Sequence, residues 1–202
     1  MTRTAFVTTL VFFGLIAGTP SVSAETRKAI FAGGCFWCVE ADFDKVPGVT
    51  ATVSGYIGGS TDNPTYKNHA AAGHREAVEI AYDPGRVSYE TLLAIFWRSV
   101  DPTDGGGQFC DRGYSYTTAI YTIGQAQADA ARKSKTETIQ ALGEPVATEV
   151  VKAPAFWPAE DYHQDYYRKN PVRYKFYRNG CGRDDRIRQV WGGEAFEGIP
   201  GY

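Results

Sequence analysis

The strongest constraint on what this chain can fold into is how often its apolar period switches. Residues 28–34 (KAIFAGG) read as a short strand closed by two glycines. Residues 35–46 then place Val39, Phe43 and Val46 at helical spacing, and Pro47-Gly48 stops that helix. Residues 49–56 return to strand, and residues 76–82 put Val78, Ile80 and Tyr82 on one face before the turn Asp83-Pro84-Gly85. Ser88 suits the N-cap of a helix running to Val100, with Leu92, Leu93, Phe96 and Val100 as its apolar stripe. A strand over 116–123, a long helix over 125–142 ended by Gly143, and a strand over 146–151 complete the pattern. Connections this short allow antiparallel neighbours. The expected class is therefore α+β: a two-layer α/β sandwich with a mixed, mainly antiparallel sheet, a ferredoxin-like core and an irregular C-terminal tail from about residue 176. Residues 187–191 could add a short helix to that tail.

With 202 residues, no repeat and no Pro/Ser-rich linker, the sequence predicts one domain. A net charge of −2 gives no electrostatic footprint for nucleic acid. Residues 1–24 are of a different kind: Arg3 precedes an apolar run over 5–18, and Val22-Ser23-Ala24 fits a signal-peptidase site. The run is shorter than the ~20 residues a bilayer span needs. The expectation is a cleaved signal peptide over 1–24, a catalytic domain over 25–202, no stable membrane insertion afterwards, and a periplasmic or secreted location. An uncut membrane anchor is the competing reading.

The chemistry concentrates at Gly33-Gly34-Cys35-Phe36-Trp37-Cys38-Val39-Glu40. Cys35 falls where a strand passes into a helix, and the free N–H groups and dipole there favour an anion, so its pKa is expected to fall. Cys38 follows one turn later, close enough for the two sulfurs to meet. Alone, C-x-x-C also fits a thioredoxin-like redox pair, half of a zinc site, or two inert buried thiols. Zinc would want a second close pair, but Cys110 and Cys181 stand apart.

More motifs follow in order: Ser54-Gly55-Tyr56 with Gly58-Gly59, Asn63-Pro64-Thr65-Tyr66, Gly73-His74-Arg75-Glu76-Ala77-Val78, Tyr82-Asp83-Pro84, Cys110-Asp111-Arg112-Gly113 with Ser115-Tyr116, and Phe156 with Ala159-Glu160-Asp161-Tyr162-His163-Gln164. Together with Gly-Cys-Phe-Trp, this series resembles the A-type peptide methionine sulfoxide reductases over about residues 28–180. The resemblance implies that Cys35 attacks the sulfoxide sulfur and becomes a sulfenic acid. It implies that Glu76 protonates the oxygen, that Tyr66 and Tyr116 donate hydroxyls to it, and that Asp111 is a buried acid beside the site. Phe36 and Trp37 would form the aromatic wall for the substrate methyl group. It also implies no bound cofactor or metal, an external thiol reductant (a thioredoxin-like protein or dithiothreitol), oxidised proteins or peptides as substrates, and a monomer.

Each residue has a plainer competitor. Glu76 could be an exposed strand edge, a tyrosine usually packs, and Asp111 could be a turn residue. Phe36 and Trp37 could be plain core. His163 is expected to shape the site more than to react, His69 to be a solvated loop residue, and Cys110 a small buried one. Many relatives have Gly where this chain has Cys38 and resolve the sulfenic acid with tail cysteines. Cys38 and Cys181 are thus both candidate resolvers; proximity favours Cys38, while the glycines beside Cys181 would permit tail motion. The loop over 67–73 is also shorter than in many relatives. A general thiol–disulfide oxidoreductase would want a cis-proline loop facing the cysteines and leaves Glu76, Tyr66 and Tyr116 unexplained. A metal-binding scaffold is the non-enzymatic rival.

Overall fold

The computed structural model describes residues 1–2 and 26–202. Apart from its first two residues, the expected signal segment lies outside the described residues. In chain order the elements are β1 (Arg27–Gly33), α1 (Phe36–Phe43), β2 (Val49–Ile57), β3 (Arg75–Tyr82), α2 (Tyr89–Arg98), β4 (Gly107–Gln108), β5 (Asp111–Arg112), a 3₁₀ turn (Tyr114–Tyr116), β6 (Thr118–Thr122), α3 (Gln125–Leu142), β7 (Glu149–Lys152), β8 (Phe156–Pro158), α4 (Tyr166–Lys169), α5 (Pro171–Gly180) and α6 (Arg183–Trp191). One six-stranded sheet runs β7-β6-β1-β3-β2-β8, antiparallel except between β6 and β7. The α+β class and the mainly antiparallel mixed sheet are as expected.

Alternation along the strands sorts the two faces. Phe31, Val78, Ile80 and Ile120 point into the main core with Val39 and Phe43 of α1 and Leu92, Leu93 and Phe96 of α2. Phe31 anchors this layer, its ring 4.9 Å from Phe96 and 5.5 Å from Phe43. Ile30, Ala32, Ile57, Ala77, Ala119 and Tyr121 form a smaller cluster on the opposite face. Two predicted helix ends hold in detail. The Ser88 side chain accepts from the Thr91 N–H at 3.0 Å, and Gly143 closes α3 in the left-handed conformation.

The C-terminal region differs from expectation: it is not irregular but forms α5 and α6. Its composition is too charged to announce helices by an apolar stripe. What holds it is a buried ion pair, in which Arg178 of α5 donates to both carboxylate oxygens of Asp42 on α1 at 2.9 and 3.2 Å. Tyr202 also donates to Asp42 at 2.7 Å, and Arg178 reaches Asp184 at 2.8 Å. Removing one partner of such a buried pair costs about 3–5 kcal/mol, so this contact fixes the tail against the helix that begins at the cysteines. Arg183 adds a second tie, donating to the Gly33 carbonyl at 3.1 Å and the Ser99 carbonyl at 2.9 Å. β8 also lay beyond what the sequence pattern announced, since three residues are too few to show a period.

Candidate active site

Gly34 makes the site possible. Its φ is +84°, and a Cβ there would lie 2.6 Å from the Gln108 side chain. This tight passage turns the end of β1 directly into α1, with Cys35 as the N-cap and its carbonyl accepting from Cys38 N–H at 3.1 Å. Glu76 shares a strand face with Val78 and Ile80, so the register of β3 carries a carboxyl into the core face at the start of α1. There the Phe36 N–H donates to Glu76 Oε2 at 3.0 Å.

Burial sets the protonation of both Glu76 and Cys35 at this point. Glu76 is only 2% exposed, and burial pushes its pKa up to about 8, against the opposing pull of the Phe36 N–H. The carboxyl is therefore mostly neutral at pH 7. The N–H groups and dipole at the helix start were expected to favour a thiolate on Cys35, and one of those N–H groups is occupied by Glu76. Cys35 departs from the expectation. Burial pushes its thiol up, and the neighbouring Cys38, with which it shares a hydrogen bond, pushes it further. Cys38 is the lower of the pair, about 7, through that hydrogen bond and the positive charges of Arg183 and Arg178. Both are free thiols and both are buried.

The other expected residues gather around this centre. Tyr116, half-buried, hydrogen-bonds Glu76, and its pKa is raised by burial and by the charge of Glu76. Tyr66 stands at the mouth, 44% exposed, with its backbone N–H held by Glu160 Oε1 at 2.9 Å. Phe36 is buried and Trp37 half-buried, their rings 6.5 Å apart. His163 accepts from Trp37 Nε1 at 3.0 Å and lies 5.0 Å from the Phe36 ring, so it orients the wall. Gln164 pairs with the Ser54 backbone like an extra strand residue, accepting from its N–H and donating to its carbonyl, each at 2.9 Å. This explains how the 159–164 motif is pinned over β2. Asp111 is half-buried and bound by the Tyr177 hydroxyl.

Three expectations need correcting. His69 is not solvated: it is 3% exposed, stacked 4.7 Å from Tyr56, with Nδ1 at 2.9 Å from the Tyr66 carbonyl and Nε2 3.8 Å from Glu76 Oε1. The short loop over 67–73 folds back under the sheet end and carries the ring inward. Cys110 is not a buried small residue but an exposed one, and it is bonded to Cys181 in a disulfide. Cys181, the C-cap of α5, is accordingly not a free thiol on a loose tail. Asp111 lies within 4.8 Å of both sulfurs, a grouping that suggests a metal site until one notes that the two sulfurs are consumed by their own bond.

Sequence reasoning missed Tyr177, whose hydroxyl hydrogen-bonds both Cys35 and Asp111. A signal was present: Asn170-Pro171 begins a helix well, and Tyr174, Tyr177 and Arg178 then fall on one face.

A buried cysteine pair, a neutral carboxyl and hydroxyl donors converging beneath an aromatic wall define a thiol-dependent oxidoreductase that acts on a small oxidised group. Comparison with known proteins narrows this. Residues 27–195 match the family described as peptide methionine sulfoxide reductase. The chain is 54% identical over 180 residues to peptide methionine sulfoxide reductase MsrA 2 of Rhizobium meliloti, covering 89% of this chain and 91% of that one. It is 46% identical to the MsrA of Bacillus subtilis, covering 85% and 99%. Among solved structures, methionine sulfoxide reductase A of Corynebacterium diphtheriae superposes with a TM-score of 0.69 at 35% identity, covering 78% of this chain and 81% of that one. Reduced Mxr1 from Saccharomyces cerevisiae superposes with a TM-score of 0.70 at 28% identity, covering 74% and 88%. The chain belongs to the peptide methionine sulfoxide reductase family and is an oxidoreductase that reduces methionine sulfoxide.

Proposed function

We propose that the chain acts on the S epimer of methionine sulfoxide, free or within oxidised proteins, with Cys35 as nucleophile and Glu76 as acid. Cys35 Sγ attacks the sulfoxide sulfur while neutral Glu76 gives its proton to the oxygen. Tyr66 and Tyr116 hold that oxygen, and Phe36 and Trp37 enclose the methyl group. Methionine leaves, and the oxygen remains on Cys35 as a sulfenic acid. Cys38 then attacks Cys35 Sγ, releasing water and forming the Cys35–Cys38 disulfide, because it is the free thiol one turn away whereas Cys181 is bonded elsewhere. An external dithiol supplies the two electrons that reset the pair. A thioredoxin-like protein is the reductant class proposed; the yeast protein Mxr1 has been solved in complex with Trx2.

The observation that carries this reading is the buried Glu76 carboxyl, held protonated beside Cys35 by its apolar surroundings. The test is turnover of separate S and R sulfoxide epimers with dithiothreitol. We expect S-epimer turnover with little R activity; equal rates on the two would overturn the assignment. We further propose that residues 1–24 export the chain to the periplasm or beyond, on the strength of Arg3, the apolar run and the Val22-Ser23-Ala24 site. No helix among the described residues is long and apolar enough to cross a membrane. Detection of a mature N-terminus near Glu25 in the exported fraction checks this.

A further inference from the structure

Attack on a sulfoxide needs Cys35 as a thiolate, yet its burial holds the thiol protonated. Glu76 cannot take that proton, since in the proposed reaction it must deliver one of its own. The groups facing Cys35 are Cys38 from α1, Glu76 from β3, Tyr66 from the mouth loop, Tyr116 from the 3₁₀ turn, Asp111 from β5 and Tyr177 from α5. Among them only Tyr177 joins the sulfur to a carboxylate that the reaction leaves idle. Its hydroxyl bonds Cys35 on one side and Asp111 Oδ2 on the other.

A phenol carries one proton, so two arrangements satisfy both bonds. In one, with Cys38 protonated and donating to Cys35 Sγ, the Cys35 thiol donates to Tyr177 Oη, and Tyr177 donates to an Asp111 carboxylate. In the other, a protonated Asp111 donates to Tyr177, and Tyr177 donates to a Cys35 thiolate. They differ by the placement of two protons along the same two hydrogen bonds. We propose that Tyr177 is a catalytic residue that ionises Cys35, taking the thiol proton on Oη while passing its own to Asp111 Oδ2. This rests on the reading of Cys35 as the nucleophile.

The surroundings suit the transfer. Burial lifts the Asp111 carboxyl above the usual range, against the Tyr177 hydrogen bond and the Arg183 charge, which makes it a better proton acceptor than an exposed carboxylate. The backbone around the pair is tied three times. Arg178, next to Tyr177, is clamped on Asp42; Cys110, next to Asp111, is bonded to Cys181; and the Cys181 N–H donates to the Tyr177 carbonyl at 2.9 Å. Protons also balance through the step. When methionine leaves, the sulfenic hydroxyl carries the Glu76 proton, Asp111 holds the Cys35 proton, and Glu76 is ionised. Return of one proton to Glu76 and loss of one from Asp111 then restore both carboxyls, with no net gain or loss of protons.

The experiment compares Tyr177→Phe, Asp111→Asn and the double variant in single turnover. The pH dependence of Cys35 alkylation is followed in a Cys38→Ser background, where Cys35 is the only free thiol to titrate. Each single variant should lower the first-turnover rate by about 10²-fold at neutral pH, with substrate affinity little changed, and should move the alkylation midpoint upward. The double variant should be no worse than the poorer single, because the two residues act in series. An unchanged alkylation midpoint and rate in Tyr177→Phe, or losses that multiply in the double variant, would overturn the relay. Turnover surviving Cys35→Ser would instead remove the reading beneath it, which keeps the two failures distinct.

Discussion

The molecule holds two cysteine pairs in opposite surroundings. Cys35 and Cys38 are free thiols under the sheet end, enclosed by Phe36, Trp37 and Tyr177; Cys110 and Cys181 are joined at the surface, between a short hairpin and the end of α5. The difference teaches that reactivity here does not come from exposure. A buried Cys35 thiol is shielded from chance oxidants, and in the proposed reaction it becomes a nucleophile only where a sulfoxide meets Glu76, the tyrosines and a proton acceptor together. Asp111 also lies within 4.8 Å of the Cys110 and Cys181 sulfurs, but those two sulfurs are consumed by their own bond.

The sharpest way to break this contrast is Cys35→Ser. It should abolish turnover, a loss of more than about 10⁴-fold, since the proposed reaction places the bond to the sulfoxide sulfur on Cys35 Sγ, beside the Glu76 carboxyl. Single-turnover release of methionine measures it, and survival of that activity would mean Cys35 is not the nucleophile; survival in Cys35→Ser/Cys38→Ser would mean the buried pair is not the reactive one.

Next in size is Glu76→Gln, which keeps a hydrogen-bond donor but has no proton to give. We expect a loss within the ~10²–10⁴-fold range for an acid catalyst. The sign of the pH effect follows from a folded pKa of about 8: the neutral form is present below that value and lost as pH rises through it. Wild type should therefore slow above pH 8, and Glu76→Gln should lose that decline. Stability should move the other way. Holding Glu76 neutral costs nothing below its unfolded pKa near ~4.3 and destabilises the fold increasingly as pH rises towards 8, so the Gln variant should be the more stable protein at pH 9 by a few kcal/mol, on the order set by its shift. Denaturant melts at pH 5 and pH 9 would show the crossover.

Part of this site could be read directly from sequence, and the physical reasons for the division are specific. β1, α2 and α3 show their periods because each buries one regular face, and Gly34-Cys35 falls at a strand–helix junction that any such reading would find. The place of Glu76 in the site was legible through its motif, while its raised pKa depends on burial that the motif does not show. The Cys35 shift ran opposite to expectation because burial and the neighbouring Cys38 raise the thiol, while the Phe36 N–H at the helix start goes to Glu76, a contact across 40 residues that no local rule contains. His69 was misplaced for the same kind of reason, since its burial is decided by how a short loop closes. α5 and α6 owe their place to Asp42 and Arg178, 136 residues apart. Four cysteines allow three pairings, and spacing alone cannot choose among them.

Cys38→Ser sharpens the comparison at the level of recycling. With one equivalent of substrate, wild type should place its new disulfide mainly between Cys35 and Cys38, as peptide mapping would show. The Ser variant should keep the first turnover but lose most thioredoxin-linked turnover, about tenfold or more, because its sulfenic acid has no free thiol within reach. Normal recycling in that variant would bring the exposed pair into the electron path.

The smallest effect is expected at the exposed pair itself. Its cross-link closes a span of 71 residues, which in the chain-entropy view stabilises the fold by about 2–4 kcal/mol. Replacing both residues by serine should therefore lower Tm by roughly 5–15 °C for a domain of this size. The first-turnover rate should fall by less than about tenfold, since Arg178, Asp42 and the Tyr177–Asp111 hydrogen bond still hold α5 in place. Recycling by a dithiol protein should fall no further than the first turnover does, because the buried pair remains complete. A double serine variant with normal Tm and first turnover but no thioredoxin-linked recycling would reverse the comparison, making the surface disulfide a carrier of electrons and not a brace.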